Sequence, residues 1–201
     1  MLEVFIQTFV LYFIVIDPLA ASTLFLIVTQ GFKAKDKIKI AFEATLIATL
    51  ILLFFAFLGN FLLSYLNISL SAFTIAGGII LFLLSLEMLF DKRSQRKEES
   101  IKDNSDITSV FPLAIPLLAG PAAITSVMVS VADIGEKFIL QVSGVLALIL
   151  VMALTFVFFF IVSKSSKIIN KKVTSVISRV IGILLAGLSV QFILDGVQKA
   201  L

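Results

Sequence analysis

The sequence predicts an all-α membrane protein, with six transmembrane helices arranged as two inverted three-helix repeats and broken helices at spans 1 and 4. Three observations carry that prediction. Six apolar stretches, at 4–29, 39–63, 70–90, 110–132, 138–162 and 173–194, each reach the ~20 residues that cross a bilayer core. Basic residues crowd onto one side of these stretches. Two short segments in the middle of the first and fourth, Asp17-Pro18-Leu19-Ala20-Ala21-Ser22-Thr23 and Gly120-Pro121-Ala122-Ala123-Ile124-Thr125-Ser126, look alike.

The chain has 201 residues, is 60% hydrophobic and has a mean hydropathy of +1.15. A soluble domain of this size needs far more charge to cover its surface. The first stretch lacks a basic leader, with Glu3 its only early charge, and is too long for a signal-peptide core of ~7–15 residues. It is therefore read as a retained first span.

Lys33, Lys35, Lys37 and Lys39 follow span 1, and Lys92, Arg93, Arg96, Lys97 and Lys102 follow span 3. Lys164, Lys167, Lys171 and Lys172 follow span 5, while the other side holds only Lys137 and Lys199. The positive-inside rule puts loops 30–38, 91–109 and 163–172 in the cytoplasm and both termini outside, in the cell (inner) membrane. The basic pI of about 9.2 reflects this bias, and no nucleic-acid partner is inferred from it. With no Cys and no His there is no disulfide, thiol nucleophile or imidazole proton shuttle, and neither a cofactor nor a metal is expected.

Pro18 aligns with Pro121 at an offset of 103, which pairs Ser22 with Thr125 and Thr23 with Ser126. In the third spans, at an offset of 104, Gly78 matches Gly182, Leu84 matches Leu188, Ser85 matches Ser189 and Asp91 matches Asp195; Glu87 falls opposite Gln191. The chain thus divides into repeats at 1–90 and 110–201, joined by a charged, solvated cytoplasmic linker at 91–109. Three spans per repeat is an odd number, so the second copy enters the membrane upside down and the two breaks meet near the midplane.

Proline removes a backbone N–H and blocks the preceding turn, so the helices unwind ahead of Pro18 and Pro121, with Pro116 lengthening the second break. The helices that restart there present a positive dipole end and unpaired N–H donors, suited to a small carboxylate. Ser22, Thr23, Thr125 and Ser126 lie in their first turns and either face a ligand or bond back to their own helix. Asp17 is the only acid near the bilayer centre. At that depth a carboxylate is a functional residue by default, able to hold an ammonium, a coupling cation or a proton, and it also serves as a plain N-cap. Glu43, Glu87 and Arg179 lie near cytoplasmic ends and read as interfacial. Gln191 is left open. Gly77, Gly78, Gly182 and Gly187 read as close-packing positions. The sequon Asn67-Ile68-Ser69 is treated as noise.

The stretch Phe111-Pro-Leu-Ala-Ile-Pro-Leu-Leu-Ala-Gly-Pro-Ala-Ala-Ile-Thr-Ser126 resembles the signature of the MarC family of integral membrane proteins. Ile16-Asp17-Pro18, Ser178-Arg179-Val-Ile-Gly182 and Gln191-Phe-Ile-Leu-Asp-Gly196 fit the same family, and the resemblance covers essentially the whole chain. Leu19-Ala20-Ala21 and Ala122-Ala123 depart from it, since members often have Gly or Asn after the first Asp-Pro and Gly after Pro121. The resemblance implies six spans, kinship with LysE-type exporters, and SnatA-type transport of small neutral amino acids such as glycine and alanine. A zwitterion fits the residues, its carboxylate at the helix N-termini and its ammonium at Asp17. Partners are then a small zwitterionic solute, the lipid bilayer, and H⁺ or Na⁺ as coupling ion, with a homo-oligomer left open. The alternatives are a non-transporting scaffold or sensor, a channel, or efflux of another small solute. An intramembrane enzyme lacks both nucleophile and base at depth.

Overall fold

The computed structural model describes residues 2–90, 113–133, 138–165 and 171–201. All its regular structure in these residues is helical. Helix α1 (Leu2–Ile16) and α2 (Pro18–Val28) are separated by Asp17 alone; α3 (Ala34–Tyr65) and α4 (Leu70–Leu89) follow. A π-type segment (Leu113–Leu118) precedes α5 (Pro121–Asp133), α6 (Phe138–Lys164) and α7 (Lys171–Ala200). Linker 91–109, and with it the basic residues that carry the largest part of the charge asymmetry, lies outside the described residues, as do Lys137 and Lys167.

Among the described residues, five helical runs are long and apolar enough to cross a membrane: α1 with α2, α3, α4, and most of α6 and α7. The fourth expected span contributes only the shorter apolar run Pro121–Val131, because the turns before it are not α-helical. Helix α3 begins five residues before the apolar stretch. At 32 residues it measures about 48 Å, longer than the ~30 Å hydrocarbon core. The surplus carries Lys35, Asp36, Lys37 and Lys39. At the other end, Leu66 to Ser69 turn through Asn67 in a left-handed conformation, and the Ser69 hydroxyl accepts the Ala72 N–H to cap α4. The serine of the sequon is therefore a helix cap.

The core lies where α1, α2 and α5 pack on α6 and α3. Phe25 and Phe159, both fully buried, stack with ring centroids 4.5 Å apart. Phe54, Phe57 and Phe61 on α3, and Val176, Val180 and Ile183 on α7, face outward as apolar surface. Helices α3 and α6 bury the same register. Ala41, Ala44, Thr45, Ala48, Leu52, Ala56 and Gly59 are buried, and so are the seven residues 103 positions later, from Gly144 to Val162.

Helices α4 and α7 form the most extensive helix pair, and small residues set how closely they approach. A Cβ on Gly78 would lie 2.8 Å from the Ser189 carbonyl oxygen and 3.0 Å from the Ile193 nitrogen. One on Gly182 would lie 3.2 Å from the Ser85 carbonyl oxygen and 3.3 Å from the Leu89 nitrogen. Shifting by 104 residues converts the first contact into the second. Since higher numbers on α4 meet lower numbers on α7, the helices run antiparallel.

Candidate functional site at the two helix breaks

Pro18 has no N–H to give to Ile14, and its ring disfavours the α conformation at the residue before it. Asp17 accordingly leaves the helix at φ 51°, ψ 71°, a left-handed conformation that Asp tolerates better than most residues. The break is confined to that residue. Asp17 N–H still donates to Phe13 O at 3.0 Å, and Ala21 N–H donates to Asp17 O at 2.9 Å. The carboxylate bridges two elements. Oδ1 accepts the Ala20 N–H at 3.2 Å, capping α2, while Oδ2 accepts the Ser178 hydroxyl of α7 at a long 3.4 Å. Asp17 is 1% exposed.

The second break is broader. Ile115, ahead of Pro116, is extended at φ −126°, ψ 128° inside the π-type segment, and Ala119 N–H reaches back five residues to Ala114 O at 2.9 Å. Sequence reading expects Pro116 to lengthen the second break, and the extended Ile115 does interrupt the helix there, while the bond from Ala119 N–H to Ala114 O closes one widened turn behind it. Closing that turn is the less costly course in hydrocarbon. Position 120 has no side chain, so α5 receives no cap from it, whereas α2 is capped by Asp17.

Segments before one break pack on segments after the other: α1 touches α5, and α2 touches the π-type segment. This places the breaks side by side. Thr125 lies directly beneath Gly77 of α4, where there is no room for a Cβ. Asp17, Pro18 and Ser22 are buried, as are Gly120, Thr125 and Ser126; Thr23 is half-buried and Pro121 exposed.

The four hydroxyls bond back to their own helices. Ser22 donates to Pro18 O at 2.6 Å, Thr23 to Leu19 O at 3.4 Å, Thr125 to Pro121 O at 2.9 Å and Ser126 to Ala122 O at 2.8 Å. With its proton so engaged, a hydroxyl meets a ligand only as an acceptor. Replacing Ser22 or Ser126 with Ala is expected to change unfolding free energy by about 0.5–1.5 kcal/mol, the net worth of one such bond. Denaturant unfolding in detergent checks this; a loss above about 3 kcal/mol would mean the hydroxyl holds more than its own turn.

The secondary candidates are dispersed. Glu43 pairs with Lys39 at 3.8 Å on the first turns of α3, partly exposed. Glu87 is half-buried near the end of α4. Gln191 donates to Asp195 Oδ1 at 2.6 Å on exposed surface of α7. Arg179 is exposed and is the chain neighbour of Ser178. Ser178 itself was not among the expected site residues. Its signal was the 104-residue offset, which places it opposite Thr74, a buried hydroxyl on α4. Among the described residues, His, Cys, Asp and Glu nowhere gather in threes to hold a metal.

A polytopic helical membrane protein with a buried carboxylate at a helix discontinuity is the class that fold and site define. The chain belongs to the MarC family of integral membrane proteins, whose family model matches residues 2–201. It is 34% identical to a UPF0056 membrane protein of Methanocaldococcus jannaschii, over 100% of this chain and 98% of the relative. A UPF0056 membrane protein of Archaeoglobus fulgidus is 33% identical, over 100% of this chain and 95% of its own length. The UPF0056 inner membrane protein YhgN of Escherichia coli is 30% identical over 96% of this chain and 95% of its own length. No solved structure matches the chain.

Proposed function

We propose that the protein is a secondary transporter of small neutral amino acids such as glycine or alanine, built as two inverted three-helix repeats and working by alternating access around the paired breaks. The observation that carries the reading is Asp17. It is a buried carboxylate at a left-handed interruption, tied to a helix of the other half of the chain through Ser178. Intramembrane carboxylates at discontinuous helices mark solute and ion paths in transporters.

The repeat reading is supported by three matches at a spacing of 103 or 104 residues: the prolines, the burial register of α3 and α6, and the reciprocal glycine contacts of α4 and α7. The two breaks are unlike in charge, and this favours a zwitterion. Asp17 meets the ammonium. The N-terminus of α5, to which Gly120 supplies no side chain, meets the carboxylate through backbone N–H groups and the helix dipole. The carboxylate also supplies a group through which H⁺ or Na⁺ couples to the solute. The lysine-rich loops set both termini outside. The location in this reading is the cell inner membrane, which the name of the Escherichia coli relative gives for that protein. No enzymatic activity is proposed.

Counterflow tests the reading. Proteoliposomes loaded with unlabelled alanine are diluted into labelled alanine. A carrier gives a transient internal excess of label over equilibrium, a channel gives none, and a scaffold gives no entry above empty vesicles. Either of the last two results removes the carrier assignment.

A further inference from the structure

Among the described residues, Tyr12 is the exception to the rule that buried polar groups are satisfied. It is 1% exposed, lies in α1 five residues ahead of the break, and its hydroxyl has no hydrogen-bond partner. Its polar neighbour is Ser130 of α5, whose hydroxyl stands near it without completing a bond of ordinary geometry. Heights along the helices explain the meeting. Helical side chains lean toward their own N-terminus, which in α1 points away from the break. Tyr12 starts about 8 Å from Asp17 and reaches further, and Ser130 lies about 13 Å from Pro121 at 1.5 Å per residue. The two hydroxyls therefore stand at one level, well above the paired breaks, in the half of the molecule that holds the N-terminus. Val127, 1% exposed, is three residues from Ser130 and so shares its face of α5, one turn nearer the break.

Resting on the transporter reading, we propose that the seam between α1 and α5 is the leg of the solute path that opens toward the N-terminal face, and that the Tyr12 hydroxyl favours its opening. When the seam is closed, the hydroxyl has lost water and gained nothing. When α1 and α5 part, it bonds water or the carboxylate of the passing zwitterion. An unsatisfied group that is relieved in only one of two states shifts the equilibrium toward that state. Removing the oxygen alone, as in Tyr12→Phe, takes away the incentive to open and leaves the packing in place.

The chain has no cysteine, so single thiols report without background. Val127→Cys is treated with a membrane-impermeant methanethiosulfonate on right-side-out and inside-out vesicles. Gln7→Cys, exposed on α1, marks the N-terminal face, and Thr155→Cys, buried and bonded to Val151 O, marks the closed core. The expected result is modification of Val127→Cys from the Gln7 side, at least tenfold faster than of Thr155→Cys. Adding Tyr12→Phe should slow it roughly 5- to 150-fold, the population shift from relieving one desolvated hydroxyl, with a melting temperature raised rather than lowered. Modification of Val127→Cys no faster than Thr155→Cys overturns the leg, and an unchanged rate with Tyr12→Phe overturns the role of the hydroxyl. Both readouts are independent of the solute. A reactive Val127→Cys in a protein that carries neither glycine nor alanine would refute the substrate and retain the leg.

Discussion

Asp17→Asn is expected to abolish solute transport while leaving the protein folded. Asparagine caps a helix about as well as aspartate and tolerates the left-handed conformation at φ 51°. The Ala20 N–H keeps an acceptor in the amide oxygen, and the amide NH2 then donates to the Ser178 hydroxyl, which reverses that long bond. Only the negative charge is lost. Losing one member of a buried charge pair costs about 2–5 kcal/mol, or roughly 30-fold to several thousand-fold in binding. The comparison with Asp17→Ala separates charge from structure. Alanine loses the cap, worth about 0.5–2 kcal/mol, and strains a backbone that favours residues other than alanine. The two variants should therefore differ in melting temperature and agree in lacking counterflow. Transport by Asp17→Asn within threefold of wild type would leave Asp17 as a helix cap and nothing more.

The second large effect concerns stability. Gly78→Val and Gly182→Val are each expected to separate α4 from α7, because the new side chain meets backbone atoms that cannot rotate away. Overpacking costs about 1–3 kcal/mol and more where backbone must move. Gly187→Val, where a Cβ meets nothing within 4 Å, serves as the control. Thermal unfolding in detergent should rank Gly78 and Gly182 together, well below Gly187. A Gly78→Val protein as stable as wild type would show that the close approach of these helices contributes little to the fold.

The spans were legible because bilayer thickness imposes a length that few other structures share, and the starts of α2 and α5 because proline admits few alternatives. The single-residue break at Asp17 was legible for the same reason: Asp-Pro allows both the left-handed residue and its cap. The fate of Pro116 was harder to read. The kink at Ile115 follows from the proline, but the five-residue turn behind it, in which Ala119 N–H bonds Ala114 O, has no local signal. The hydroxyls of Ser22, Thr23, Thr125 and Ser126 could not be assigned in advance, since intrahelical and outward bonds are both available to Ser and Thr in apolar helices. Ser178 and Tyr12 escaped notice because their meaning lies in contacts across 161 and 118 residues, with Asp17 and Ser130. Local pattern carries no trace of such contacts. The reach of α3 beyond its apolar stretch was missed because charged helical turns outside the membrane resemble loop in hydropathy.

The central claim is that the paired breaks carry a small zwitterion across the membrane. Its most direct test is the initial rate of labelled glycine and alanine uptake into proteoliposomes under imposed H⁺ or Na⁺ gradients. The expected result is saturable uptake of at least one of the two, accelerated by one gradient and competed by the other amino acid. No uptake of either under any gradient, in vesicles whose protein unfolds cooperatively on extraction, would contradict it.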